Sequence, residues 1–398
     1  MSSNKDKESI QLQTIKANGI THRVATSGNC GDNPLVLLLH GWPESWYSWR
    51  HQISALSSNG YYACAPDMRG YGGTDKPLET HEYNVHKVSL DVVQIAKFLG
   101  YDRFALIGHD FGAYLAWHVA LLFPQSVSVV IALSVPYVGR GKCGVLTSLR
   151  KKYGDSLHGD LREKLGARFN YMLHHNLPHA ADEYYKDRKE ALFRIYAYHP
   201  GVECVPGTAD DMDDKMFLLD PAVPSALQGS EEGTKSSERD CKAVSLPICG
   251  NDLDARHAPG LWKRIPQPCS LPDWMTEKDF DFYVSEYTRN GFHGGLQWYN
   301  VLDLNWELTR ELSGKRVQQP SLFISGDEDM VIYAHGGAKA VESKLREQCA
   351  SLQNVVFLEG CGHWIQQEKA KEVNDEIISF LNKQDRCQLS CRTVKSRL

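Results

Sequence analysis

Phe104-Ala-Leu-Ile-Gly-His-Asp-Phe-Gly-Ala113 opens the stretch that decides the fold, and an apolar run carries it on to Phe123, just before Pro124. Phe104 to Ile107 is short and wholly apolar, the pattern of a strand buried on both faces. From Gly112 onward the small residues Gly112, Ala116 and Ala120 stand four apart. That spacing puts them on one helix face, where a helix can lie close on a sheet. Between strand and helix stands Gly108-His109-Asp110-Phe111-Gly112. This is the strand–turn–helix of a nucleophile elbow, in which two glycines flank a residue held on a strained turn above the sheet. The usual central residue is serine. Asp110 in its place makes the candidate nucleophile a carboxylate, which needs no base to activate it and attacks saturated carbon. The plainer reading of Asp110 is an N-cap for the helix that follows.

The 398 residues suffice for one large core plus a lid. A net charge of −5 gives no case for binding nucleic acid or an anionic membrane. The longest apolar stretch, Val127 to Val138, is too short to span a bilayer. Met1 to Ser9 is polar, so no signal peptide is expected. The eleven cysteines are odd in number, scattered and without metal-ligand spacing, and they read as reduced thiols. Ser396-Arg397-Leu398 ends the chain as a variant of the peroxisomal C-terminal tripeptide, so the expected location is cytoplasmic or peroxisomal.

Strand and helix signals alternate ahead of the elbow. Ile10 to Ile15 and Thr21 to Ser27 flank the turn signal Asn18-Gly19. Leu35 to Leu39 and Tyr61 to Ala65 are further strands; Ser45 to Leu56 and Val85 to Leu99 have helical spacing. After the strand Val127 to Leu133 the alternation breaks. Helical, Tyr-rich and His-rich text follows, then a polar stretch around 202–272, then a helix opened by the capping box Thr276-Glu-Lys-Asp279. Strands return at Ser321 to Ser325 and Val355 to Glu359, with a closing helix from Glu368 to Leu381. The expected architecture is an α/β core, residues 1–138 and 306–398, with a mainly helical lid inserted at 139–305. Such parallel sheets carry their sites at the carboxyl ends of the strands.

An elbow needs an acid and a histidine later in the chain, in that order. Gly326-Asp-Glu-Asp329 ends one strand, and Gly360-Cys-Gly-His363 ends the next. His363 is the candidate base, and Asp327, Glu328 and Asp329 compete as its partner. His40-Gly-Trp42-Pro43 follows the third strand, where the backbone N–H of Trp42, with that of Phe111, could hold an oxyanion.

Taken together, His40-Gly-Trp-Pro-Glu-Ser-Trp-Tyr-Ser-Trp-Arg-His-Gln52, Asp67-Met-Arg-Gly-Tyr-Gly-Gly-Thr-Asp-Lys-Pro77, the elbow, Gly291-Phe-His-Gly-Gly-Leu-Gln-Trp-Tyr299, Gly326-Asp-Glu-Asp329 and Gly360-Cys-Gly-His363-Trp resemble the α/β-hydrolase-fold epoxide hydrolases of the soluble type, without an N-terminal phosphatase domain. The resemblance implies Asp110 as nucleophile, Asp329 as acid, His363 as base, and Tyr299 and Tyr171 as lid phenols that hold the epoxide oxygen. It implies His40 and Trp298 beside the substrate. The substrate would be a small apolar epoxide, opened to a vicinal diol with water and no metal or organic cofactor. Tyr184 and Tyr185 are rivals for Tyr171, because the text after Tyr171 is His-rich where the family usually has Phe-Gln. Rival functions are a haloalkane or haloacetate dehalogenase and a non-catalytic ligand-binding protein on the same fold; Phe111, where haloalkane dehalogenases usually carry Trp, argues against the first.

Overall fold

The structure is a computed structural model that describes residues 9–153, 170–198, 262, 265–389 and 391–392. Most of the 202–272 stretch and the Ser396-Arg397-Leu398 tail lie outside these residues.

A mixed sheet runs through the core in the order β1 (Gln11–Ala17), β2 (Ile20–Ser27), β4 (Tyr62–Pro66), β3 (Leu35–Leu39), β5 (Tyr101–His109), β6 (Val127–Leu133), β7 (Ser321–Gly326), β8 (Leu352–Leu358). The hairpin β1–β2 and the β2–β4 pair are antiparallel, and every pair from β4 to β8 is parallel. A short β9 (Cys391–Arg392) pairs antiparallel with the start of β5.

The apolar runs alternate between two cores, as period-2 side chains must. Leu35, Leu37, Leu39 and Leu106 join Val92 of α2 (Val85–Phe98) and Ala116 of α3 (Phe111–Leu122) on one face. Val36, Leu38 and Ile107 join Ile53 of α1 (Arg50–Ser58) and Ile377 of α14 (Ala370–Asn382) on the other. The result is a three-layer α/β/α sandwich.

Among the described residues, the elements between β6 and β7 are helices joined by loops. They form α4 (Val145–Tyr153), α5 (Tyr171–His175), α6 (Ala180–Lys186), α7 (Arg188–Ala197), α8 (Glu277–Asn290), α9 (His293–Asn300) and α10 (Leu302–Leu308). The capping box at Thr276 and Asp279 opens α8 as expected. These helices are tied to the loops at the strand ends by named bonds. Tyr287 Oη–H donates to Glu44 O at 3.2 Å, Trp298 Nε1–H to Arg69 O at 2.9 Å, and Tyr196 Oη–H to Pro43 O. Arg23 on β2 reaches Asp67 and, across the boundary, Glu286 of α8. After β7 come α11 (Met330–Ala334) and α12 (Ala338–Gln348); after β8 comes α13 (Ile365–Glu368), then α14.

Four expected boundaries shift. The helix expected from Ser45 is a 3-10 turn, Trp46–Trp49, before α1 begins. Asp67 Oδ1 accepts Trp46 N–H at 3.0 Å and Ser45 Oγ accepts Tyr47 N–H at 3.3 Å, which pins that turn. Strands β5 and β8 begin earlier than their apolar runs, because their first residues are polar or exposed. The closing helix breaks at Lys369, so Glu368 belongs to the short α13.

The helix α3 sits so close to the sheet that two glycines are required by space. A Cβ on Gly112 would fall 1.9 Å from Leu39 O, and one on Gly108 would fall 2.1 Å from Gly112 O. Gly108→Ala should therefore lose about 3 kcal/mol, the upper end of overpacking effects. Denaturant unfolding checks this, and an unchanged midpoint would refute it.

Candidate active site

Four loops meet at the carboxyl ends of β3, β5, β7 and β8. Asp110, straight after β5, has φ 52° and ψ −120°. Residues other than glycine seldom take positive φ, and when they do the surroundings hold them there. Asp110 makes no side-chain bond to the start of α3, so the fold does not use it as an N-cap. Its Oδ1 accepts Trp42 N–H at 2.9 Å. The loop carrying Trp42, with a cis Trp42–Pro43 bond, can come this near because Gly41 has no side chain: a Cβ there would fall 2.3 Å from Asp110 Oδ1. Phe111 is the first residue of α3, where backbone N–H groups lack intrahelical partners.

Asp329 is fully buried after β7, and it caps α11 by accepting Val331 N–H at 2.8 Å. Of the three carboxylates that end this strand, it is the one brought to His363, whose Nδ1 lies 3.1 and 3.0 Å from Oδ1 and Oδ2. His363 Nε2 stands 3.7 Å from Asp110 Oδ2. Burial opposes charge on this imidazole, but Asp329 and Asp110 together hold its pKa well above the ordinary histidine value.

The acid and base loops are fastened to each other. Glu328 N–H donates to Cys361 O at 3.1 Å, and a Cβ on Gly326 would fall 1.9 Å from that same oxygen.

Two phenols from the helical segment stand near Asp110. The Tyr171 and Tyr299 rings are 6.0 Å apart, and Tyr299 packs edge-on against Phe111 at 4.6 Å. Burial raises both phenol pKa values. Tyr171 is raised further by Asp110 and Asp329, and Tyr299 by Tyr171 and Asp110. Both therefore keep their protons at neutral pH. Of the two rivals, Tyr184 borders the same cluster, with its ring 5.5 Å from Trp42, and Tyr185 lies outside it. Tyr184 Oη is engaged with His175 Nε2 at 2.8 Å, and Tyr185 is 45% exposed with its hydroxyl directed at Thr288 O.

Comparison with known proteins fits this geometry. Residues 34–191 match a family described as alpha/beta hydrolase fold. Epoxide hydrolase A of Mycobacterium tuberculosis (strain ATCC 25618 / H37Rv) is 34% identical over 92% of this chain and 96% of its own. Epoxide hydrolase 1 of Siraitia grosvenorii is 32% identical over 94% and 99%. The crystal structure of epoxide hydrolase A from Mycobacterium thermoresistibile superimposes with a TM-score of 0.73 at 32% identity, over 95% of this chain and all of that one. Potato (Solanum tuberosum) epoxide hydrolase I gives 0.71 at 27% identity, over 94% and 100%.

The chain belongs to the α/β-hydrolase-fold epoxide hydrolases.

Two residues expected beside the substrate of this epoxide hydrolase have their polar atoms engaged within the fold. His40 is 1% exposed, and its two ring nitrogens are both engaged: Nδ1–H donates to Gly41 O at 2.8 Å and Nε2 accepts Met68 N–H at 3.0 Å. It shapes the Trp42 loop and has no nitrogen left for a ligand. Trp298 gives its indole N–H to Arg69 O and packs its ring on Phe111 at 5.8 Å.

Sequence reasoning passed over Glu44, His109 and Ser134. Glu44 is 1% exposed. Its Oε2 accepts Gly41 N–H at 2.7 Å and lies 2.7 Å from His109 Nδ1, and its Oε1 accepts Gln366 Nε2–H at 2.8 Å. His109 Nε2 then reaches His363 O at 2.8 Å, where Ser134 Oγ–H also donates at 3.1 Å. One buried network thus joins the oxyanion loop, the elbow and the base loop of the epoxide hydrolase site. A Glu four residues after His40 and a His beside Asp110 carry no periodic signal; only their place in the motifs could have flagged them.

Burial alone would raise the Glu44 carboxyl, but His109, His40 and the Gly41 N–H bring it down to about 2 from 4.5. A depressed carboxyl stabilises the fold fully above its unfolded value and loses that stabilisation as pH falls toward the folded one. Of about 3 kcal/mol from this group, roughly 2 should disappear between pH 5 and pH 3. Urea unfolding across that range should show the loss in the wild type and a flatter profile in Glu44→Gln; parallel profiles would contradict it.

Proposed function

We propose that this protein hydrolyses an apolar epoxide to a vicinal diol through an ester on Asp110. The observation that carries the reading is the carboxylate on the strained elbow, with an imidazole–carboxylate pair on one side and two protonated phenols on the other. Oδ1 is held by Trp42 N–H, and Oδ2 has His363 no nearer than 3.7 Å, too long for a hydrogen bond. Oδ2 is therefore the attacking oxygen.

In the first half-reaction Oδ2 bonds to an epoxide carbon from behind and the strained carbon–oxygen bond breaks. Tyr171 or Tyr299 gives its proton to the departing alkoxide, and the second phenol donates a hydrogen bond to it. In the second half, His363 takes a proton from water and the oxygen adds to the Asp110 ester carbon. Trp42 and Phe111 N–H groups hold the oxyanion formed on Oδ1. Collapse breaks the ester, His363 returns the proton to the leaving alkoxide, the diol departs, and the acid proton left on Asp110 passes through solvent to the phenolate, restoring the phenol and the carboxylate.

The electrostatics suit this order. While Asp110 is charged it helps keep His363 protonated. Ester formation removes that charge, so the imidazole becomes a base at the step that needs one. The dehalogenase reading is disfavoured, because Phe111 follows the nucleophile where haloalkane dehalogenases usually carry Trp, and the Trp298 N–H is already taken.

A single turnover with an aryl epoxide in heavy-oxygen water should place label in the Asp110 peptide and none in the first diol. Label in the diol alone would end the covalent reading, and chloride released from a chloroalkane would favour the dehalogenase. Tyr299→Phe should slow ester formation by about 10²-fold, the scale of general-acid catalysis; an unchanged rate would remove Tyr299 from the mechanism. Stopped-flow pH profiles should show ester breakdown slowing as pH falls, because only neutral His363 accepts a proton. Ester formation should show no such decline, since it needs no base.

A further inference from the structure

The loop that carries His363 is gripped by a residue outside the proposed mechanism. Glu368, the last residue of α13, turns its carboxylate back toward the β8 end. Oε2 accepts Gly362 N–H at 2.7 Å and Oε1 accepts Trp364 N–H at 2.7 Å. The buried Cys361 Sγ–H points at Oε2 from 3.7 Å. Three donors from the residues around His363 thus converge on one side chain. A carboxylate is suited to this, because it offers acceptors on both oxygens and no donor. The fit is close: a Cβ on Gly362 would lie 3.2 and 3.3 Å from the two oxygens. On the other side the His363 carbonyl is held by His109 and Ser134.

We propose that Glu368 is a positioning residue for His363, its carboxylate holding the turn so that Nε2 is aimed at the Asp110 ester. This rests on the covalent reading above. On that reading the imidazole acts as a base only in the second half-reaction. Loosening the turn slows ester breakdown and spares ester formation, whereas a purely structural contribution lowers stability and leaves the ratio of the two rates alone.

Two variants test it. In Glu368→Gln the amide nitrogen cannot accept, so one flanking N–H loses its partner. Gly362→Ala keeps the carboxylate and crowds it, at a position without positive φ. Each is mixed with an aryl epoxide in single turnover, and the Asp110 peptide is weighed over time. The expected result is accumulation of ester in both variants. Breakdown in Glu368→Gln should be slower by about 10²-fold, the scale of a misplacement near 1 Å. Gly362→Ala should be affected less, and ester formation should stay within about threefold of wild type. Equal slowing of both half-reactions, or no change in either, would overturn the proposal. If Glu368→Gln does not fold, Gly362→Ala decides alone. A wild type that makes diol without any ester would overturn the covalent reading, and the proposal with it.

Discussion

The close approach of α3 to β3 and β5 is the constraint on which the site depends. With no side chain at Gly112 or Gly108, the helix axis drops toward the sheet and the chain must reverse within one residue. That residue is Asp110, and positive φ is the backbone's answer to the short turn. The strain lifts a carboxylate clear of the strand end, into reach of an N–H from one neighbouring loop and an imidazole from another. A side chain on Gly41 would block the first of these contacts as surely as one on Gly112 would block the helix.

Around that constraint the fold must accommodate several buried or half-buried carboxylates. Asp329 meets His363, Glu44 meets His109, and Asp67 meets Arg23. Leaving any one unpaired at such depth would be strongly unfavourable, whereas paired charges with satisfied hydrogen bonds can be held. The pairs are also shared between elements. Glu44 binds the oxyanion loop through Gly41 and the elbow through His109, and His109 carries the connection to the base loop. Position and charge at the site are therefore maintained by one network.

What could be read from the sequence was what is local. Asp110, Asp329 and His363 stand in glycine-rich turns that close short apolar strands, so strand pattern and turn chemistry announce them together. Tyr171 and Tyr299 sit on separate helices between β6 and β7, and their approach to each other depends on packing that no period reveals. Glu44, His109, Ser134 and Glu368 were illegible for a stronger reason: each matters through a partner remote in sequence or through a turn no propensity describes. His40 and Trp298 show the converse. A motif marked them as near the site, but only the hydrogen-bond tally shows their polar atoms already engaged. The strand starts at Tyr101 and Leu352 were hidden because Asp102, Gln353 and Asn354 interrupt the apolar pattern where the sheet meets solvent.

The fastening of the acid loop to the base loop has a consequence for how this protein can vary. With Glu328 bonded to Cys361 O and Gly326 pressed against it, the acid and base shift together or not at all, and both ride on adjacent strands of the sheet. The phenols ride on separately anchored helices. On the proposed mechanism, ring opening draws on both units while breakdown of the ester draws on the sheet alone. On that mechanism, change in the helices alters how fast an epoxide opens and leaves the breakdown of the ester where the sheet sets it. The two half-reactions are thus written in different parts of the chain, and one can drift while the other stands still.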